Sequence, residues 1–346
     1  MEPAVETGTA PLARSRTVPR RRPLPAHGAA GAVRVAFLGG HGRSGSTLLS
    51  RLLGNVPGIT SVGELRYIWD QGVLRDHGCG CGCSFSHCQF WTAVGQEAFG
   101  GWSPEVAERA LELRHLVERR RYLPMLTLPQ VSPSFARNLR EYAELMSKLY
   151  GAIATVSGTD VVVDTSKYPS TAYVLRRVPG IDLSIVHLVR CSLGVCWSWT
   201  KTVARPDRNG KPLARYPYWR SALNWTLDNA AIDALAALGV PRTLLRYEDL
   251  VREPRQQVQR LLAALQVSAD GPALDFLSGH TVTLVADHSV AGNPNRFRTG
   301  PQQLRLDDEW RRQMSPGARL AIMVATAPSL LRYGYGVLGL PARRAG

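Results

Sequence analysis

Gly40, four intervening residues, Gly45 and then Ser46-Thr47 follow directly on the apolar run Val33 to Leu38. This is nearly the spacing of a nucleotide-binding phosphate loop, G-x-x-x-x-G-K-[ST], with Ser46 where the lysine would stand. Backbone N–H groups in a glycine-rich turn, and the positive end of the helix after it, can hold a dianion without any lysine. The residue that grips the terminal phosphates of a nucleoside triphosphate is missing. Arg43 supplies positive charge three residues earlier instead. The loop therefore suits a phosphate-like group and is poorly equipped for ordinary ATP chemistry.

A second constellation lies further on. Arg190 closes the apolar stretch Leu183 to Val189, and Ser198 follows eight residues later in a helical pattern. An arginine fork with a hydroxyl from the next element can clamp one phosphate. The plainer alternative makes Arg190 a strand-end ion-pair partner and Ser198 a helix-face serine. Cys79, Cys81, Cys83 and Cys88 crowd into ten residues with His77 and His87 nearby. Three readings stay open for them: a structural zinc, one or two disulfides, or reduced thiols in a packed loop. The C-x-C-x-C-x4-C spacing is not that of a standard zinc ribbon.

These residues need a scaffold. Residues 33–55 read as strand, glycine loop and helix, with Leu48, Leu49, Leu52 and Leu53 on one helical face. Residues 56–101 read as irregular. Helical patterns cover 103–122, 134–156, 170–178, 192–203, 215–238, 254–265 and 315–327. Strands are predicted at Val161–Val163, ending at Asp164, at Leu183–Val189 and at Thr243–Tyr247. Strands alternating with helices imply a parallel sheet covered on both faces. The fold class is thus α/β, a three-layer sandwich with a phosphate-loop core, a parallel central sheet and a helical, cysteine-rich insertion at about 65–156. In such sheets ligands sit beyond the C-terminal strand ends. Those ends are Gly39-Gly40, Asp164 to Lys167, Arg190 to Ser192 and Tyr247 to Asp249, where the polar residues cluster.

The chain has 346 residues, 45% hydrophobic and 20% charged, enough for a substantial core and typical of a globular protein. Its net charge of +15 favours an anionic ligand. Part of that excess lies in the Pro/Ala/Gly-rich residues 1–32, where Arg14, Arg16, Arg20, Arg21 and Arg22 face only Glu2 and Glu6. That composition predicts a disordered, solvated tail. No apolar run approaches the ~20 residues of a membrane span, and the N-terminus lacks a signal-peptide core. The expected location is cytoplasmic. A nucleic-acid binder is disfavoured because the arginines are dispersed rather than interleaved with exposed aromatics.

Taken together, the motifs resemble a sulfotransferase that uses 3′-phosphoadenosine 5′-phosphosulfate (PAPS), of the bacterial type related to carbohydrate and tyrosylprotein enzymes. Gly42-Arg43-Ser44-Gly45-Ser46-Thr47-Leu48-Leu49 is similar to that family's loop for the 5′-phosphosulfate. His187-Leu188-Val189-Arg190 with Ser198 is similar to its 3′-phosphate site. Leu245 to Leu250, and the run His288 to Pro294 followed by Arg296, Arg298 and Trp310, complete the pattern from residue 33 to about 312. The resemblance implies metal-independent transfer of a sulfuryl group from PAPS to a hydroxyl of a glycan, natural product or peptide, releasing the bisphosphate PAP. It implies cofactor contacts from Gly42 through Thr47, Arg190 and Ser198, with Arg296 and Arg298 on a late loop that closes over the nucleotide. Lys167, in Lys167-Tyr168-Pro169, takes the place of the lysine at the departing phosphate. Glu64 takes the place of the general base, with His41 and His288 as rivals. The competing enzymatic reading, a nucleotide kinase or NTPase, is weakened by Ser46 and by the Arg190–Ser198 pair.

Overall fold

The computed structural model describes residues 31–204, 212–268 and 271–336. The expectation for residues 1–32 therefore falls almost wholly outside the described residues. A five-stranded sheet forms the centre, in the order β2-β3-β1-β4-β5. The strands are β1 (Val33–Gly39), β2 (Ile59–Gly63), β3 (Val161–Lys167), β4 (Ile181–Val189) and β5 (Arg242–Arg246). Every pairing is parallel.

Alternation along these strands builds the two faces. Val35, Phe37, Val162 and Ile185 point into one core cluster. Ala36, Leu38, Val161, Val163, Val186 and Leu188 point into another. A strand apolar at consecutive positions must be covered on both sides, and it is.

The helices are α1 (Ser46–Gly54), α2 (Gln89–Phe99), α3 (Pro104–Val117), α4 (Leu123–Thr127), α5 (Pro133–Ser157), α6 (Pro169–Leu175), α7 (Ser192–Ser198), α8 (Tyr218–Ala237), α9 (Tyr247–Arg252), α10 (Pro254–Ala264), α11 (Trp310–Gln313) and α12 (Pro316–Arg332). The long α5 has clear local causes. Ser132 caps it by accepting the Phe135 N–H, Pro133 opens it, and Gly158 ends it in the left-handed conformation. Ser103 and Ser315 cap α3 and α12 in the same way, each followed by proline. A small antiparallel sheet of β6 (Leu277–Ser278), β7 (Thr281–Leu284) and β8 (Gly300–Gln303) lies late in the chain. Among the described residues no helix is long and apolar enough to cross a membrane.

Besides a 3₁₀ turn (Leu65–Tyr67) and a π-helical stretch (Ile68–Leu74), the stretch read as irregular holds one strand and one α-helix that the sequence analysis did not place. The first, β2, is a five-residue edge strand, Ile-Thr-Ser-Val-Gly, paired only with β3. Its polar residues and short length hide it. The second, α2, begins directly after Cys88, and Gly95 within it lets Trp102 approach to 2.4 Å of where a Cβ would stand. The predicted strand end at 247 is instead the first turn of α9.

Candidate active site

β1 sits between β3 and β4, where the chain's path across the sheet reverses, and the loop after it opens at that switch point. Gly40 has φ 132°, and a Cβ there would lie 2.4 Å from the Leu188 carbonyl oxygen. Gly45 has φ 93°, and its Cβ would lie 2.6 Å from the Tyr247 ring. Only glycine meets both demands. No side chain caps α1, so its first N–H groups are left for a ligand.

Arg43 lies between these glycines at φ 71°, a left-handed conformation that costs a non-glycine residue about 1–3 kcal/mol. Its guanidinium lies 5.1 Å from the Trp199 ring centroid. Nη2 is buried with no hydrogen-bond partner among the described residues. Burial pushes the Arg43 pKa down, and Glu64 opposes that. A desolvated cation with an unused donor is what an incoming anion would complete.

Glu64 follows β2, and Lys167 ends β3 at φ 68°. The neighbouring strand ends bring the two together: Lys167 Nζ donates to Glu64 Oε1 and, at 3.1 Å, to the Thr165 carbonyl. Arg190 stands at the end of β4, 5% exposed. Its Nη1 donates to the Arg43 carbonyl at 3.2 Å and its Nη2 to the Asp307 carbonyl at 2.7 Å. The Asp307 carboxylate is 3.1 Å away, and the Tyr247 ring lies 4.7 Å from the guanidinium. Despite its burial, Asp307 is held below the usual carboxyl range by Arg190 and Lys201.

These residues line one cavity of about 990 Å³. Gly42, Arg43, Gly45, Ser46, Thr47, Glu64, Lys167, Arg190, Ser198 and Arg298 all face it. Among the described residues its wall carries eight Arg or Lys side chains against four carboxylates, so it favours anions. Opposite the strand ends, α8 contributes Asn224 and Asp228. Asp228 Oδ2 lies 2.7 Å from His41 Nδ1, and its Oδ1 accepts from Arg120 at 2.6 Å. A carboxylate at Nδ1 sets the tautomer and leaves Nε2 as the acceptor. That Nε2 is buried with no hydrogen-bond partner among the described residues.

The Sulfotransferase family model matches residues 36–271. The chain belongs to the sulfotransferase family. Among solved structures it is similar to the sulfotransferase domain from the Synechococcus PCC 7002 olefin synthase. That match has 21% identity and a TM-score of 0.47, and covers 86% of this chain and 94% of that one. The sulfotransferase domain from the curacin biosynthetic pathway matches at 17% identity and TM-score 0.46, covering 86% and 97%. Sulfotransferase STF9 from Mycobacterium avium matches at 10% identity and TM-score 0.45, covering 91% and 79%. No curated protein sequence matches the chain.

In this sulfotransferase two expected contacts are arranged differently. Ser44 is 2% exposed and does not line the cavity, so only its backbone remains available there. Arg296, expected on a closing loop, turns inward. Its Nη1 donates to the Ser289 carbonyl at 2.5 Å and its Nη2 to the Gly78 carbonyl at 2.7 Å. It braces the late segment against the cysteine loop, while Arg298 alone of the two reaches the cavity. The cysteines also regroup. Cys79, Cys81 and Cys88 converge with His288, and Cys83 is left outside the group. All six cysteines are free thiols. Asp228 and Asp307 line the site without any local sequence signal. Glu248, in the first turn of α9, accepts the Cys191 N–H at 3.0 Å and the Tyr335 hydroxyl at 2.6 Å.

Proposed function

We propose that this sulfotransferase draws its sulfuryl group from PAPS and passes it in line to a hydroxyl of an acceptor held in the same cavity. The observation that carries the reading is Arg43, a half-buried arginine whose buried Nη2 is unused among the described residues, on a phosphate loop that has no lysine. The amides from Gly42 to Thr47 and Arg43 would hold the 5′-phosphosulfate. Arg190 and Ser198 would clamp the 3′-phosphate, with Arg298 beside them. A sulfuryl carries less charge than a phosphoryl, so fixed cations suffice to balance its equatorial oxygens.

The Lys167–Glu64 pair supports a division of labour. In the resting site each neutralises the other. When PAPS binds, Lys167 turns to the bridging oxygen and stabilises the departing phosphate. Glu64 is then released to accept the proton of the attacking hydroxyl. The S–O bond to the phosphate breaks as the S–O bond to the acceptor forms, and PAP leaves.

A second reading of the base rests on His41. Its unpartnered Nε2, with Asp228 behind Nδ1, is the arrangement of an oriented imidazole base. The test is PAP release from PAPS with pooled phenolic, sugar and peptidic hydroxyl acceptors in the presence of a chelator. Glu64→Gln should abolish turnover and His41→Gln should leave most of it. The reverse pattern would assign the base to His41. Phosphate release from ATP with magnesium, and no PAP from PAPS, would overturn the proposal.

A further inference from the structure

Cys79, Cys81 and Cys88 come from one glycine-rich loop that leads into α2, and His288 arrives from a segment 200 residues beyond Cys88. His288 Nδ1 lies 3.3 Å from the Cys88 sulfur and 3.9 Å from the Cys79 sulfur. The Cys81 and Cys88 sulfurs are 3.7 Å apart. All four ligand atoms fall within 4.8 Å of one another. Zinc bound at about 2.3 Å to sulfur and 2.0 Å to nitrogen in a tetrahedron sets its ligands about 3.5–3.8 Å apart. The three separations above already stand close to those edges, and three sulfurs with one imidazole is a structural zinc set.

The surroundings hold the ligands in place. The His288 ring stacks on Phe90 at 4.6 Å and 9°, and its carbonyl accepts Trp91 Nε1 at 2.9 Å. Arg51 on α1 fixes the adjacent Asp287 with a 3.1 Å ion pair. Gly80 N donates to the Ser289 carbonyl at 2.9 Å, and a Cβ on Gly80 would come within 2.3 Å of Asp287 Oδ1. Cys79 and Cys88 are fully buried, with Cys81 half-buried beside them. Cys83 lies 3.1 Å from Cys81, closer than two ligands of one zinc would stand.

We propose that Cys79, Cys81, Cys88 and His288 form a structural zinc site that clips the segment 287–292 onto the loop before α2. The reacting groups lie on the other side of that clip. Val290 N donates to the Val62 carbonyl at 3.0 Å, Ser289 packs on Gly63, and Gly292 sits against the Glu64 carboxylate. None of the four ligands lines the cavity, so the metal braces the wall behind Glu64 and takes no part in transfer. The site stands whether Glu64 or His41 proves to be the base.

The test is zinc content of the full chain, purified under reducing conditions and by elemental analysis, before and after adding zinc alone. One zinc per chain is expected, retained in Cys83→Ser, lost in Cys88→Ser and His288→Ala, and regained in His288→Cys. Cobalt substitution of the wild-type chain should give the intense visible bands of a tetrahedral thiolate site, a readout that does not depend on the variants folding. No zinc retained by the reduced wild type would overturn the proposal. So would cobalt bands lacking thiolate charge transfer, or zinc lost in Cys83→Ser but kept in His288→Ala.

Discussion

Replacing Arg190 by alanine separates its two duties. The guanidinium is buried, bonds the carbonyls of Arg43 and Asp307, and faces the cavity beside Ser198. If it also clamps the 3′-phosphate, the alanine removes a charge-assisted hydrogen bond worth about 1.5–3 kcal/mol. That is roughly a 10- to 150-fold loss of affinity. The loss should fall on the 3′-phosphorylated nucleotide only. Calorimetric titration of wild type and Arg190→Ala with PAP and with AMP gives the four corners of a cycle. AMP lacks the 3′-phosphate, so it reports any damage to the loop and confirms that the variant is folded. The account requires a large drop for PAP and little change for AMP. Arg190→Lys should fall between, because an ammonium cannot fork between the loop carbonyl and a phosphate. An equal loss for both nucleotides would refute the reasoning and leave Arg190 as a brace for the Arg43 loop.

Lys167→Ala should lower kcat about 100- to 1,000-fold, the cost of deleting one preorganised donor, with a smaller change in PAP affinity; steady-state turnover and titration together check it. Gly45→Ala should abolish PAP binding, since the new methyl would stand 2.6 Å from the Tyr247 ring at a backbone φ of 93°; titration with PAP is again the readout. Acid stability should carry the mark of His187, whose imidazole is pushed down to about 4 by burial, although Asn229 and Asp233 favour its charged form. The unfolded chain takes up that proton near 6.5. Stability held by neutral His187 is therefore fully present above about pH 6.5 and is lost as pH falls toward about 4, by up to about 1.4 kcal/mol per pH unit. Urea midpoints across that range should slope more steeply for wild type than for His187→Gln, and equal slopes would contradict the assignment.

The phosphate loop was legible because its demands are local. Two glycines at fixed spacing, a buried strand before them and an apolar-faced helix after them are properties of neighbouring residues. Arg190, Ser198 and Lys167 were legible as polar residues at predicted strand ends or in the element that follows, and all three reach the cavity. Glu64 was singled out although the strand that carries it was not, since β2 is a short edge strand with polar residues. Arg296 and Arg298 show the limit of composition. They lie two residues apart around a short 3₁₀ turn, Pro294–Phe297, and one faces the cavity while the other fills a socket of carbonyls. No local pattern distinguishes them. The Asp228 contact to His41 and the convergence of His288 on the cysteines join residues about 190 to 210 apart in the chain. Only tertiary packing creates such pairs, so spacing among the cysteines pointed to Cys83 where the fold supplies a histidine.

The account rests most directly on which nucleotide the cavity accepts. A thermal melt of the full chain with PAP, with AMP and with ATP plus magnesium measures that. A ligand at 100 times its Kd adds about 2.7 kcal/mol of stability, or roughly 4 °C for a chain of this size. The account predicts a shift of that order with PAP, unaffected by a chelator and reduced in Arg190→Ala, and little shift with AMP. A shift confined to ATP with magnesium would contradict it.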